Sequence, residues 1–277
     1  MRNLLLICSL VLAVRALGNY PGKDLWLPVA GHAAGSDGRI HATTVFITNT
    51  SDHAADVRMS LHASGEVGKE PRAVSVRIAP GATHVHDLAD RLATAQRPIG
   101  SLRISASEPV VADAWLYNQS AMQPGSTASV LAAIPSEFAI GSGESAVTHA
   151  STNEARFKLY VAETRGFPLY FSVTAYDASG RRTSARRLFV DRHDQRSWEL
   201  PGQFVALQVA GVNGSGTIVF AGARIDNATQ DTSFFPMTLP VRARHRIGAI
   251  EWTAYALAAA ALLFAALRTG AEAPNRP

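Results

Sequence analysis

Residues 169–190 read LYFSVTAYDASGRRTSARRLFV. Leu169, Phe171, Val173 and Ala175 are apolar, and Ser172 and Thr174 alternate against them. A period of two marks a strand with one face buried and the other wet. Asp177-Ala178-Ser179-Gly180 follows, a run of turn-forming residues, and an arginine-bearing strand returns after it. The stretch is a hairpin of an antiparallel sheet, and the rest of the chain repeats its grammar. Thr43 to Thr48 puts Thr44, Phe46 and Thr48 on one face and Val45 and Ile47 on the other. Gly65, Gly68, Pro80-Gly81 and Asn213-Gly214 punctuate between strands. Residues 87–93 are the one short helical pattern, with Leu88 and Leu92 on a shared side. The expected class is all-β.

The chain also echoes itself. RIHATTVFITNTSDHAADVRMSLH (residues 39–62) lies over NEARFKLYVAETRGFPLYFSVTAY (residues 153–176) as strand, polar turn and strand. Residues 101–135 and 216–240 then each give two strands, an Asn (Asn118, Asn227), a polar loop and a strand closing on Pro135 or Pro240. Seven or so short strands per copy point to two tandem immunoglobulin-like β-sandwich domains, residues 19–135 and 136–241. A single larger sandwich or jelly roll is the other architecture that fits.

LWLPVAGHAAGSDGRIHATTVFITNTS, then VSVRIAPGATHVHDL, then GSLRISASEPVVADAWLYN carry a resemblance. Over residues 25–135 they resemble the immunoglobulin-like repeats of bacterial secreted tandem β-sandwich proteins. The resemblance implies a sandwich fold and an exported address, and it implies no catalytic residue.

Both ends are greasy. Arg2, an apolar run from Leu4 to Val14 and small residues at Ala16 and Gly18 have the layout of a signal peptide over residues 1–18. Cys8, the single cysteine, lies inside it, so a processed chain has no thiol for disulfide or nucleophile. Residues 247–267 hold one charge, Glu251, and at a helical rise their length of roughly 31 Å matches a hydrocarbon core. The expectation is a transmembrane helix that anchors the chain in the membrane, with Trp252 and Tyr255 at the interface and residues 268–277 as a short tail. The flanks disagree with the usual bias. Arg242, Arg244 and Arg246 precede the span, and Arg268 and Arg276 follow it.

Charge excludes one class and offers one candidate. Residues 19–135 carry 9 Lys+Arg against 10 Asp+Glu, and residues 136–246 carry 13 against 10. Neither half has the basic excess of a nucleic-acid binder. The densest cationic stretch contributes Arg181, Arg182, Arg186, Arg187, Arg192 and Arg196, whose forked donors suit carboxylate, phosphate or sulfate. The competing reading is a charged edge strand that resists sheet-to-sheet pairing. His84 and His86 share a strand face and form the one metal-like pair, without a third ligand at fixed spacing. His32, His41, His53 and His62 are scattered, and sequence alone does not bring them together. Nucleophile-elbow, phosphate-loop and zinc-protease motifs are absent from the sequence. Asn118 and Asn227 match a glycosylation sequon and read as turn formers after a strand.

These observations lead to an exported, membrane-anchored binding, adhesion or scaffolding protein of the cell envelope. It is expected to work without catalysis or cofactor, on an envelope protein or anionic polymer. A cell-surface glycan hydrolase or its accessory module, and a periplasmic strand-accepting chaperone, are the alternatives.

Overall fold

The computed structural model describes residues 20–34, 40–88, 92, 99–119, 128–150, 155–228 and 231–239. The proposed signal peptide, the 247–267 span, Trp252, Tyr255 and the tail lie outside them. No helix among the described residues is long and apolar enough to cross a membrane.

The protein is all-β. One nine-stranded sheet holds β1 (Gly22–Gly31), β2 (Ala33–Ala34), β3 (Ile40–Asn49), β4 (Ala55–Ala63), β5 (Arg72–Ile78), β6 (Thr83–Asp87), β7 (Ile99–Gln119), β8 (Ser129–Ala132) and β9 (Ile134–Pro135). Two four-stranded sheets follow, built from β10 (Ser145–His149), β11 (Ala155–Glu163), β12 (Leu169–Tyr176), β13 (Arg182–Val190), β14 (Gln195–Glu199), β15 (Ala206–Gly214), β16 (Ile218–Asp226) and β17 (Thr232–Pro236). Their orders are β10-β15-β12-β13 and β14-β11-β16-β17. The 169–190 stretch is the β12–β13 hairpin, and its alternation is met: Leu169, Phe171, Val173 and Ala175 are buried.

Strand β7 explains why the first nine strands count as one sheet. Its residues up to Ala106 pair with β4 and most of β1, and its residues from Val110 pair with β3 and β8. The change of partners comes at Glu108-Pro109, where proline has no N–H to give a ladder. Strands that bend across two layers make the corners of packed sheets. The layers close over one core, with Leu25 and Leu27 from β1, Val45 and Ile47 from β3, Met59 from β4, and Leu102 and Ile104 from β7.

The pairings of the two halves correspond strand for strand. β3 meets β6 and the far part of β7, as β11 meets β14 and β16. β4 meets β5 and the near part of β7, as β12 meets β13 and β15. β1 pairs with near β7 as β10 pairs with β15, and β8 pairs with far β7 as β17 pairs with β16. In the second half the bent strand is two separate strands, and the layers are tied by rings: Phe171 of β12 meets Trp198 of β14 at 5.5 Å.

The halves pack together through β1. Leu25 and Leu27 point into the first core, while Trp26, fully buried, points the other way with Ile134 against Ala162 of β11 and Val219 of β16. Tyr160 and Phe234 extend this seam, their rings 6.0 Å apart, and burial pushes the Tyr160 phenol up to about 12. The central strands β11 and β16 are therefore covered on both faces over most of their length.

Several local readings change. Asp87, read as the start of a helix, is the last residue of strand β6, and the next residue, Leu88, is helical; Leu88 and Leu92 are buried in the first core, and the residues between them are not described. Asn118, read as a turn former, is paired with His41 inside strand β7, whereas Asn227 does sit in a turn.

Candidate functional site

Residues directly opposite in an antiparallel ladder share a face. Ser60 faces Arg103, Arg58 faces Ser105 and His62 faces Ser101, while Trp26 faces Arg103 from the other side. Arg58, Ser60 and His62 of β4, Ser101, Arg103 and Ser105 of β7, and Asp24 and Trp26 of β1 thus form one outward face of the first sheet. Near β1 this face is sealed by the second half. Toward β4 it opens as a cleft of about 520 Å³. One wall is the segment between β4 and β5, with Glu66, Lys69 and Glu70; the other is the turn between β13 and β14, with Arg192 and His193.

Hydrogen bonds fix the walls to one another across the halves. Ser64 Oγ donates to the carbonyl of Gln195 at 2.7 Å, and the Gly65 N–H donates to Asp194 at 2.8 Å. Asp194, its side chain fully buried, also takes the Arg196 guanidinium at 2.5 Å. A site held by both halves is organised before any ligand arrives.

At the back of the cleft stand three rings. His62 lies 5.4 Å from Trp26 and 5.2 Å from His193, and His193 stacks on Trp26 at 6.3 Å with a 9° tilt. Arg103 lies over the same indole at 5.7 Å and makes a forked pair with Asp24 at 2.7 and 3.2 Å. His193 has a φ of 48°, a conformation costly for a side-chain-bearing residue. It is held there by Glu163, a fully buried carboxylate that accepts the His193 N–H at 2.8 Å. Gly166, at φ 83°, packs directly on the imidazole: a Cβ there would come within 2.8 Å of His193 Nε2. Gly100 is required too, because a Cβ on it would meet the His62 carbonyl oxygen at 2.0 Å.

The electrostatics are lopsided. Lys69 is paired with Glu66 at 3.0 Å and Arg103 with Asp24, whereas the guanidinium groups of Arg58 and Arg192 have no partner among the described residues. His62 Nε2, His193 Nδ1 and Trp26 Nε1 are buried without a hydrogen-bond partner. Each such group costs about 1–3 kcal/mol while it stays unsatisfied. Burial, then His193, then Arg103 hold the His62 imidazole down at about 4, so it is neutral at ordinary pH.

The residues singled out in the sequence are dispersed. Of the six arginines only Arg192 lines the cleft. Arg181 pairs with Asp177 at the hairpin turn, and Arg196 with Asp194. Arg182, Arg186 and Arg187 lie on β13, the last strand of its sheet; Arg187 covers Tyr170 at 5.1 Å, and Arg186 shares the core-side face with Val173. His84 and His86 stack at 5.9 Å on the core side of β6, opposite Ile47 and Val45, rather than on an exposed face. Among the described residues no group of three or more His, Cys, Asp or Glu is placed to hold a metal ion. His62, one of the scattered histidines, is in the cleft. Arg58, Arg103, Trp26 and His193 were not distinguished in the sequence; the alternation Arg58-x-Ser60-x-His62 along one strand was the available signal.

Fold and site together define a two-part all-β protein with a cationic cleft at its internal seam. Comparison with protein-family models, with curated proteins and with solved structures finds no match.

Proposed function

We propose that this chain is an exported, membrane-tethered binding protein of the cell envelope, acting through the cleft and without turnover. The observation that carries the reading is the cleft's construction. Its two walls come from different halves and are bonded to each other, which favours holding a partner in a fixed geometry. The strand-for-strand correspondence of the halves supports two tandem sandwiches of immunoglobulin-like type, related to the secreted repeat proteins that residues 25–135 resemble. The apolar 247–267 stretch supports the tether, with a signal peptide over residues 1–18 supplying export.

Fractionation tests the tether and address. The full chain is expected in the membrane pellet with its sandwiches accessible to protease from outside the cytoplasm, and a chain lacking residues 247–277 in the soluble exported fraction. A full chain found in the cytoplasm would overturn the reading. Partner binding is tested by amine acetylation of Lys69: an envelope extract is expected to protect it, and unchanged labelling counts against use of the cleft.

One observation favours a second reading. β13 ends its sheet, leaving an edge at which a strand-accepting chaperone would dock its client. The core-side Arg186 on that edge works against such docking.

A further inference from the structure

We infer that the cleft is a receptor for a tetrahedral oxoanion, a phosphate group borne on a small ester, seated between Arg58 and Arg192. This rests on the binding function proposed above and names the chemistry of its ligand. Arg58 rises from the strand floor and Arg192 from the facing turn, and neither guanidinium has a partner among the described residues. Forked donors match the oxygens of a phosphate better than a point charge does. Behind them, His62 Nε2 is buried and unsatisfied. A tetrahedral anion has enough oxygens to meet both forks and still accept from an imidazole. A carboxylate has two oxygens and satisfies fewer of these donors. The volume, about 520 Å³, admits a phosphate with a glycerol- or sugar-sized group attached. Glu66 and Glu70 on the rim disfavour a long polyanion such as nucleic acid.

The site also binds protons with its anion. His62 faces Arg103 from β7, His193 from the β13–β14 turn and the Trp26 ring from β1, with Asp24 beyond Arg103 and Glu163 beneath His193. Burial first, with the Arg103 guanidinium adding to it, keeps the His62 imidazole neutral. An anion in the cleft reverses the local field, so binding draws a proton onto His62 and tightens as pH falls.

Calorimetric titration of the full chain in detergent tests this with inorganic sulfate, whose charge is constant over the range, and with inorganic phosphate. Both are expected to bind, and Arg58→Gln and Arg192→Gln are each expected to weaken binding about tenfold or more. Arg187→Gln, on the distant β13 edge, is expected to leave it unchanged. Sulfate affinity is expected to rise from pH 7.5 to 5, and His62→Gln to flatten that rise. No binding of either anion, or binding that Arg58→Gln and Arg192→Gln leave intact, would overturn the inference. Vesicles of phosphatidylcholine with and without phosphatidic acid separate the two sources of phosphate. Cleft-dependent vesicle binding that inorganic phosphate displaces assigns a lipid headgroup; anion binding without it assigns a soluble ester. A chain that pellets with membranes but fails the titration loses this inference alone. A cytoplasmic chain that passes it loses the functional reading alone.

Discussion

Asn49 closes β3 and Glu163 closes β11, and the backbone around them is the same. The N–H of each bonds across to the turn before β6 or β14, at Ala82 and Asp194. The next residue, Thr50 or Thr164, uses both N–H and Oγ1 on the carbonyl of Pro109 or Thr217. The side chains differ. Asn49 donates to the carbonyls of His53, Ile78 and Ala79 at 2.7, 3.1 and 3.2 Å and accepts from Ser51. Glu163 only accepts, from the N–H groups of Arg165, Gly166, His193 and Thr217 at 2.7, 2.7, 2.8 and 3.3 Å. A sandwich corner of this kind needs a buried polar group that gathers the neighbouring turns; the direction of the bonds is free. In the second half that freedom is used to fasten the turn carrying His193, and so one wall of the cleft.

Exchanging the two chemistries breaks the comparison most sharply. Asn49→Asp sets a buried carboxylate against three carbonyl oxygens, and about 5 kcal/mol of unfolding free energy should be lost in urea titrations. Trp26→Ala asks whether the halves are one cooperative body. It should cost about 4 kcal/mol and split the single urea transition into two, read by far-UV circular dichroism. Glu163→Gln keeps one acceptor oxygen but turns an amide N–H₂ toward donors, so about 2–3 kcal/mol should be lost, with weaker sulfate binding as the His193 turn loosens. The pH-dependent effect belongs to His62. Its folded value is about 4 against an ordinary 6.5, so unfolding takes up a proton between them. Stability is whole above pH 6.5, falls as pH drops toward 4 and falls no further below it. Comparing wild type with His62→Gln by denaturation at several pH values should show a shallower fall in the variant.

Strand content was legible wherever one face is wet, as in β12, because alternation records a single buried side. β1 is covered on both faces, so DLWLPVAG gave an apolar run without a period, and nothing in it announces that Trp26 leaves the core for the seam. The echo between residues 39–62 and 153–176 was visible because β3–β4 and β11–β12 occupy corresponding places. The continuity of β7 was hidden by Pro109, which reads as a break between strands and is a bend within one. Clustered arginines drew the eye to residues 181–196, yet charge density along a chain says little about charge density in space. Arg58 and Arg192 are 134 positions apart in the sequence and line the same cleft.

The long bent strand also governs the order in which the molecule can be assembled. Among the described strands β1 pairs only with β7 and β9, so the long neighbour it needs is not synthesised until about eighty residues later. A chain delivered from its N-terminus therefore carries Leu25, Trp26 and Leu27 unsheltered while most of the first half is made. Such distant closure slows folding and leaves a sticky segment waiting. Late-arriving residues 99–119 are then the latch that admits β1, β3 and β4 almost together, and a ribosome stalled ahead of them would hold a segment with nowhere to dock.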